Sequence, residues 1–292
     1  MNQALNPGQY DTGAALALSP SGWRAQLRLA FARRERRTTL VRRDHVGPLL
    51  VQKPLYPEGE PICHAIVLHP PGGVAGGDQL RLEVELAARA HAVLSTPGAG
   101  KWYKANDAAA AQHLDFHVAE GATLEWLPQE TIVFDAAQVH WQTTVALAGN
   151  ARYAGWEILC LGRRAAGESF ERGVLRQSTQ LRRDGRLLWS EHMVLRGADP
   201  LLHSPVGLNG RPVTATFLIA HGAMPAALLE ACRALAPADG AACGVTALPD
   251  IFAARYLGES AQHARRYFEQ LWAVARPWYA QTQARPLRIW ST

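Results

Sequence analysis

The sequence predicts a mostly β fold: an elongated, helically arranged scaffold of strands, solenoid- or sandwich-like, with about two α-helices near the C-terminus. Three observations predict it. Apolar and polar residues alternate with period two through the first two thirds of the chain, a faint motif recurs after 32 and then 29 residues, and helical apolar stripes appear only late.

Ala25, Leu27, Leu29 and Phe31 alternate with Arg24, Gln26, Arg28 and Ala30, the pattern of a half-buried strand. Residues 80–86 (LRLEVEL) alternate more strictly, and Leu114, Phe116 and Val118 and then Trp141, Thr143, Val145 and Leu147 do the same. The recurring motif covers 86–92, 118–124 and 147–153. Each copy ends one strand, turns and starts another. That fits three ordinary hairpins, and it also fits stacked β units that bury their faces on one another. Further strands are expected at 173–181, 186–195 and 213–220, with Asp184-Gly185 as a hairpin turn. Helices are expected at 225–236, stopped by Pro237, and from Ser260, with Pro277 ending or kinking the second. Residues 285–290 read as a final strand. Residues 1–21 read as a loose leader, and 22–292 as a single β-rich domain.

The chain has 292 residues, 48% hydrophobic and 19% charged, with a formal charge of +5. That surplus is too small to indicate nucleic acid. The basic runs at 33–37 and 42–43 suit a docking face for an acidic protein or a solvated face. Four cysteines without a CxxC suggest reduced thiols. No basic, apolar signal segment opens the sequence, and no run approaches the ~18 apolar residues that cross a bilayer. The expected location is cytoplasmic, away from membranes.

Gly98-Ala-Gly-Lys101 looks like the end of a phosphate-binding loop. However, Ser95 stands where the upstream Gly is needed, and Trp102 stands where a Mg²⁺-holding hydroxyl is needed. Gly72, Gly73, Gly76 and Gly77 are out of register for a dinucleotide fingerprint and precede a strand, so a tight loop is the better reading. No nucleophile elbow occurs, and no catalytic residue is assigned. Glu130 and Asp135, close in sequence, suit a turn or a polar cavity better than acid/base work.

Cys63, His64 and His69 lie within seven residues, but on a strand only Cys63 and His69 share a face. No closed tetrahedral site follows. His113 and His117, four residues apart on a strand, would sit roughly 13 Å apart, too far to share an ion.

The order of segments carries more. Residues 47–59 (GPLLVQKPLYPEG) lead into 67–78 (VLHPPGGVAGGD), then 95–103 (STPGAGKWY), 126–135 (WLPQETIVFD), 155–157 (GWE), 161–170 (LGRRAAGESF) and a terminal Arg288-Ile-Trp-Ser-Thr292. From about Gly22 to the C-terminus this series resembles the UreD (UreH) family of urease accessory proteins. The resemblance implies a long, helically arranged β scaffold without catalytic activity. It implies direct binding of apo-urease and recruitment of UreF and the GTPase UreG, with no tightly bound cofactor. Ni²⁺ would pass transiently, through an internal water-filled tunnel, to a urease site that carries a carbamylated lysine. Thr96-Pro-Gly-Ala-Gly-Lys101 departs from the family pattern, which commonly has Gln, Ala or Thr there.

A transient route avoids a tight cage, so oxygen ligands suit it. Glu130, Asp135, Glu168 and Ser169 are the candidates, followed by Asp78, which is more readily a turn residue, and by Cys63 and His69. The rival reading is a carbohydrate-active or hydrolytic β-solenoid enzyme pairing Glu130 with Asp135 or Glu168. Because the 98–101 loop lacks both the upstream Gly and the hydroxyl, calorimetric titration with GTP or ATP should show no micromolar binding.

Overall fold

The computed structural model describes residues 22–105 and 108–291, so the expected leader lies outside the described residues. The described chain enters on an antiparallel hairpin, β1 (Arg24–Arg34) and β2 (Arg37–Val46), and a short β3 (Leu50–Val51) pairs with β4 (Ile62–Leu68). It then coils. β5 (Gln79–Leu86), β6 (His91–Ser95) and β7 (Gly100–Trp102) make one turn. β8 (Ala110–Val118), β9 (Thr123–Trp126) and β10 (Thr131–Val133) make the next. β11 (Gln138–Leu147) and β12 (Arg152–Leu161) begin a third. Each strand lies parallel on its counterpart in the preceding turn.

The recurring motif is the corner between the first and second strands of each coil. Leu86, Val118 and Leu147 stand side by side, as do Ala92, Leu124 and Tyr153. The copies are therefore stacked coils, not hairpins. The spacings of 32 and 29 residues are the lengths of two successive turns.

After the coils, β13 (Val174–Arg183) adds in parallel to β11 and folds back as β14 (Arg186–Arg196). Asp184 (φ 48) and Gly185 (φ 80) supply the two left-handed positions of the expected turn. β15 (Val213–Ala220) pairs antiparallel with β12. The chain ends through α1 (Ala226–Arg233), the hairpin β16 (Ala242–Ala247) and β17 (Ile251–Gly258), and the long α2 (Ala261–Ala280). One sheet runs β14-β13-β11-β8-β5-β1-β2, and a second runs β16-β17-β15-β12-β9-β6-β4-β3.

Two cores follow from this layering. Inward residues of both sheets, such as Leu27, Val84 and Phe116 of the first and Ala65, Leu94 and Leu124 of the second, fill the solenoid. The outer side of the second sheet packs Trp156, Phe217 and Phe252 against Tyr267, Phe268, Leu271 and Trp272 of α2. That is why the strands of the second sheet read as apolar runs rather than strict alternation.

Two expectations change. α2 continues past Pro277 to Ala280, because Tyr279 is fully buried and anchors the last turn. The final strand is instead a 3₁₀ turn over Arg288–Ser291, which seats Leu287 and Trp290 against α2 and the second sheet.

One charge cluster fastens α2 to the coils. Arg276, fully buried, donates to Glu58 at 2.5 and 2.9 Å and to Glu125 at 2.9 to 3.2 Å. Glu125 also accepts from Trp272 Nε1 (2.7 Å) and Tyr279 OH (2.8 Å), and His91 Nε2 lies 2.7 Å from it. Glu58 is closed off by His64 Nε2 at 2.7 Å. Burial would raise Glu125, but His91 and Arg276 outweigh it and hold the carboxyl far below the usual range. Glu58 is lowered in the same way, its burial outweighed by His64 and Arg276.

Replacing Arg276 with Leu leaves two buried carboxylates without their cation and should cost about 3–5 kcal/mol in urea unfolding at neutral pH. Because both carboxyl pKa values are depressed on folding, wild-type stability should hold above the carboxylate range and fall as pH drops through it.

Candidate functional site

Four of the segments that carry the family resemblance, 67–78, 95–103, 126–135 and 161–170, are remote in sequence, and the coils bring them to one wall. Val74 bridges to Trp102, β7 pairs with β10, and β10 pairs with β12. Lys101, Ile132 and Cys160 stack as successive rungs, as do Trp102, Val133 and Leu161. Behind this wall lies a cavity of about 430 Å³. His69, Gln112, Gln129 and Thr131 line it beside Trp126 and Trp141. Gly73 lies at its rim against the Tyr103 ring, where a Cβ would come within 2.3 Å and displace that side chain. β7 is followed by β8, not by a helix, so the Gly98–Lys101 segment lacks the element a phosphate-binding loop needs.

Asp135 and Glu168 meet at one corner of the wall. The Asp135 carboxylate accepts from the backbone N–H groups of Glu171 (2.9 Å) and Arg172 (2.7 Å) and, two-pronged, from the Arg172 guanidinium (2.9 and 2.6 Å). Glu168 accepts from the N–H groups of Asp135 (3.1 Å) and Arg163 (3.3 Å) and from the Arg163 guanidinium (3.1 and 2.6 Å). Burial raises Asp135, but Arg172 and the backbone donors prevail and hold it below the usual range. Arg163 does the same for Glu168. Gly162, at φ 78, makes the fold-back possible, since a Cβ there would lie 2.4 Å from the Glu168 carbonyl oxygen. Ser169 Oγ accepts from Arg164 at 2.8 Å.

The Glu130 carboxylate has no hydrogen-bond or ion-pair partner among the described residues, and its charge helps burial raise the nearby Cys160 thiol. Asp78 caps the glycine-rich turn, accepting from Trp23 N (2.9 Å) and Ala75 N (2.8 Å). Cys63 is buried in the solenoid core. His69 lines the cavity, its pKa lowered by burial against the opposing pull of Asp78. Among the described residues, no three His, Cys, Asp or Glu side chains are grouped to hold one metal ion. None of Glu130, Asp135, Glu168 and Ser169 lines the cavity.

Sequence reasoning missed two things. The first is the Glu58–Arg276–Glu125 cluster. Its signal was a lone acid inside the apolar run 122–127, and an arginine on the same helical stripe as Trp272 and Tyr279. The second is Glu157, which projects into the solenoid interior. It accepts from Thr143 Oγ1 (2.7 Å) and from Gln177 Nε2, and among the described residues no cation pairs with it. A small crevice lined by Glu191, Thr179 and Thr216 keeps it in touch with water. Burial above all, with Glu191 adding, pushes its pKa up to about 7.

Coils closed by hairpins, with their loops gathered on one wall and Asp135 and Glu168 held there by arginines and amides, define a β-solenoid scaffold. A family model described as UreD urease accessory protein matches residues 24–291, and the chain belongs to that family. It is 52% identical to the urease accessory protein UreD of Methylobacillus flagellatus over 270 residues, 92% of this chain and 95% of that one. It is 53% identical to the Dechloromonas aromatica protein of the same name over 277 residues, 94% of this chain and 96% of that one.

Raising a carboxyl pKa on folding favours the native state at low pH and weakens it as pH rises from the ordinary value of 4.5 through about 7. Replacing Glu157 with Gln should therefore stabilise the protein at pH 8 by on the order of 1–2 kcal/mol, allowing for its water contact, and change little at pH 5. Paired thermal melts at the two pH values would measure it.

Proposed function

We propose that the chain is a non-catalytic scaffold of the cytoplasm that binds apo-urease and, with UreF and the GTPase UreG, enables Ni²⁺ to enter the urease active site. The observation that carries this reading is the UreD family match across residues 24–291, with relatives near half identity named urease accessory proteins. Among the described residues no helix is long and apolar enough to cross a membrane, which suits such a role.

Nickel is cargo in this reading, so its ligands must release it. Glu130 supplies an unpaired carboxylate, while Asp135 and Glu168 would accept the ion only by exchanging an arginine for it. Oxygen donors that already have a competing cation bind reversibly, as a relay requires. Ser169 adds a hydroxyl beside Glu168. The hydrolase alternative, Glu130 paired with Asp135 or Glu168, draws less support: both possible partners are tied up by arginine and amide donors, and none of the three lines the cavity.

Co-expression of apo-urease with the other accessory proteins, with and without this chain, tests the reading. Urease activity and nickel content should both collapse without it. Glu130→Gln and Glu168→Gln should lower urease nickel several-fold while the accessory complex still assembles in pull-down. Normal nickel in both assembled variants would remove these carboxylates from the route.

A further inference from the structure

The outer face of the seven-stranded sheet carries a feature that neither the cavity nor the acidic corner explains. Along β8, Leu114 and Phe116 point into the core, so His113 points outward, and Val139 and Trp141 turn His140 outward on β11 in the same way. The two strands are parallel neighbours, with His113 beside Gln142 and His140 beside Ala111, so the histidines form a diagonal cross-strand pair. Their ring centroids are 6.0 Å apart, with the planes at 65°. Both side chains are half-buried, and neither ring has a hydrogen-bond or ion-pair partner among the described residues. The ring nitrogens are not buried away from solvent, so an incoming ion can reach them.

A late transition-metal ion about 2.1 Å from a ring nitrogen lies roughly 3.2 Å from that ring's centroid. Two rings on one ion therefore have centroids no more than about 6.4 Å apart, and the observed separation falls inside that limit. The strands sit mid-sheet, between β5 and β13, so the backbone spacing is fixed before any ion arrives. Arg81, beside His113, is engaged by Glu83 and Asp115, and Arg176 stands beside His140. These guanidiniums disfavour a multiply charged cage and allow only a weak site. Two imidazoles, with water in the remaining positions, suit Ni²⁺, Cu²⁺ or Zn²⁺ better than Mg²⁺ or Ca²⁺.

We propose that His113 and His140 form a two-imidazole surface site for a divalent late-transition-metal ion. It stands apart from the carboxylate route, and either reading can fail without the other.

The test is calorimetric titration of the tag-free full chain with Ni²⁺ in a non-chelating buffer. His113→Gln and His140→Gln should each weaken one binding event about tenfold or more, and the same event should be unchanged in Glu168→Gln. Circular dichroism checks the fold of each variant. With Cu²⁺ as a second probe, paramagnetic resonance should show couplings from two imidazole nitrogens in the wild type and one in either single variant. Wild-type affinity and stoichiometry in the double variant would overturn the proposal. So would an effect confined to one histidine, because the ion would then not be shared.

Discussion

A single β coil cannot bury its own apolar face, and every other feature of this molecule follows from that constraint. Leu82, Leu114 and Trp141 reach the interior only because β5, β8 and β11 stack in parallel register. The register fixes turn length, and turn length sets where each corner loop falls. Loops that are about thirty residues apart in sequence therefore arrive on one wall. The second sheet faces apolar surroundings on both sides, so it also requires α2, and Arg276 couples that helix to the coils through Glu58 and Glu125. Removing the helix would expose Trp156 and Phe217 and also strand two charges.

The first sheet was the most legible part of the sequence. Its strands are wet on one face, so 80–86 and 141–147 alternate cleanly. The second sheet was harder to read: residues 62–67 are all buried, and period two disappears when both faces are covered. The internal repeat was visible, but choosing coils over hairpins needs the partner of each strand, and that is not a local property of the sequence. Pro277 does not end α2, which runs on to Ala280 with Tyr279 buried. The 3₁₀ turn at Arg288–Ser291 was read as a strand, yet Leu287 and Trp290 are anchored against α2.

Of the residues named from the sequence, two stand together in the structure, but their bonding was not legible. Glu168 and Asp135 meet, the Glu168 carboxylate accepting from Asp135 N. Their arginine partners, Arg163 and Arg172, could not be assigned from spacing, since Arg172 reaches Asp135 across 37 positions. Cys63 and His69, which alternation put on one face, part company because His69 lies beyond the end of β4. Glu157 gave no warning at all. An acid on an apolar strand can face a paired cation or a hydroxyl, and only the packed interior decides which.

The hairpins at the two ends of the first sheet have a consequence for the molecule's solution behaviour. β2 and β14 run against their neighbours and occupy the sheet's outermost positions. An unbroken parallel stack would offer its terminal coil as a template for the next chain, and copies could polymerise end to end. Reversing direction at each end removes that match of register. β2 further presents the exposed Arg37, Arg42 and Arg43, so a second copy approaching that edge meets like charge. The same device that ends the coil count also keeps a stackable fold from becoming a filament.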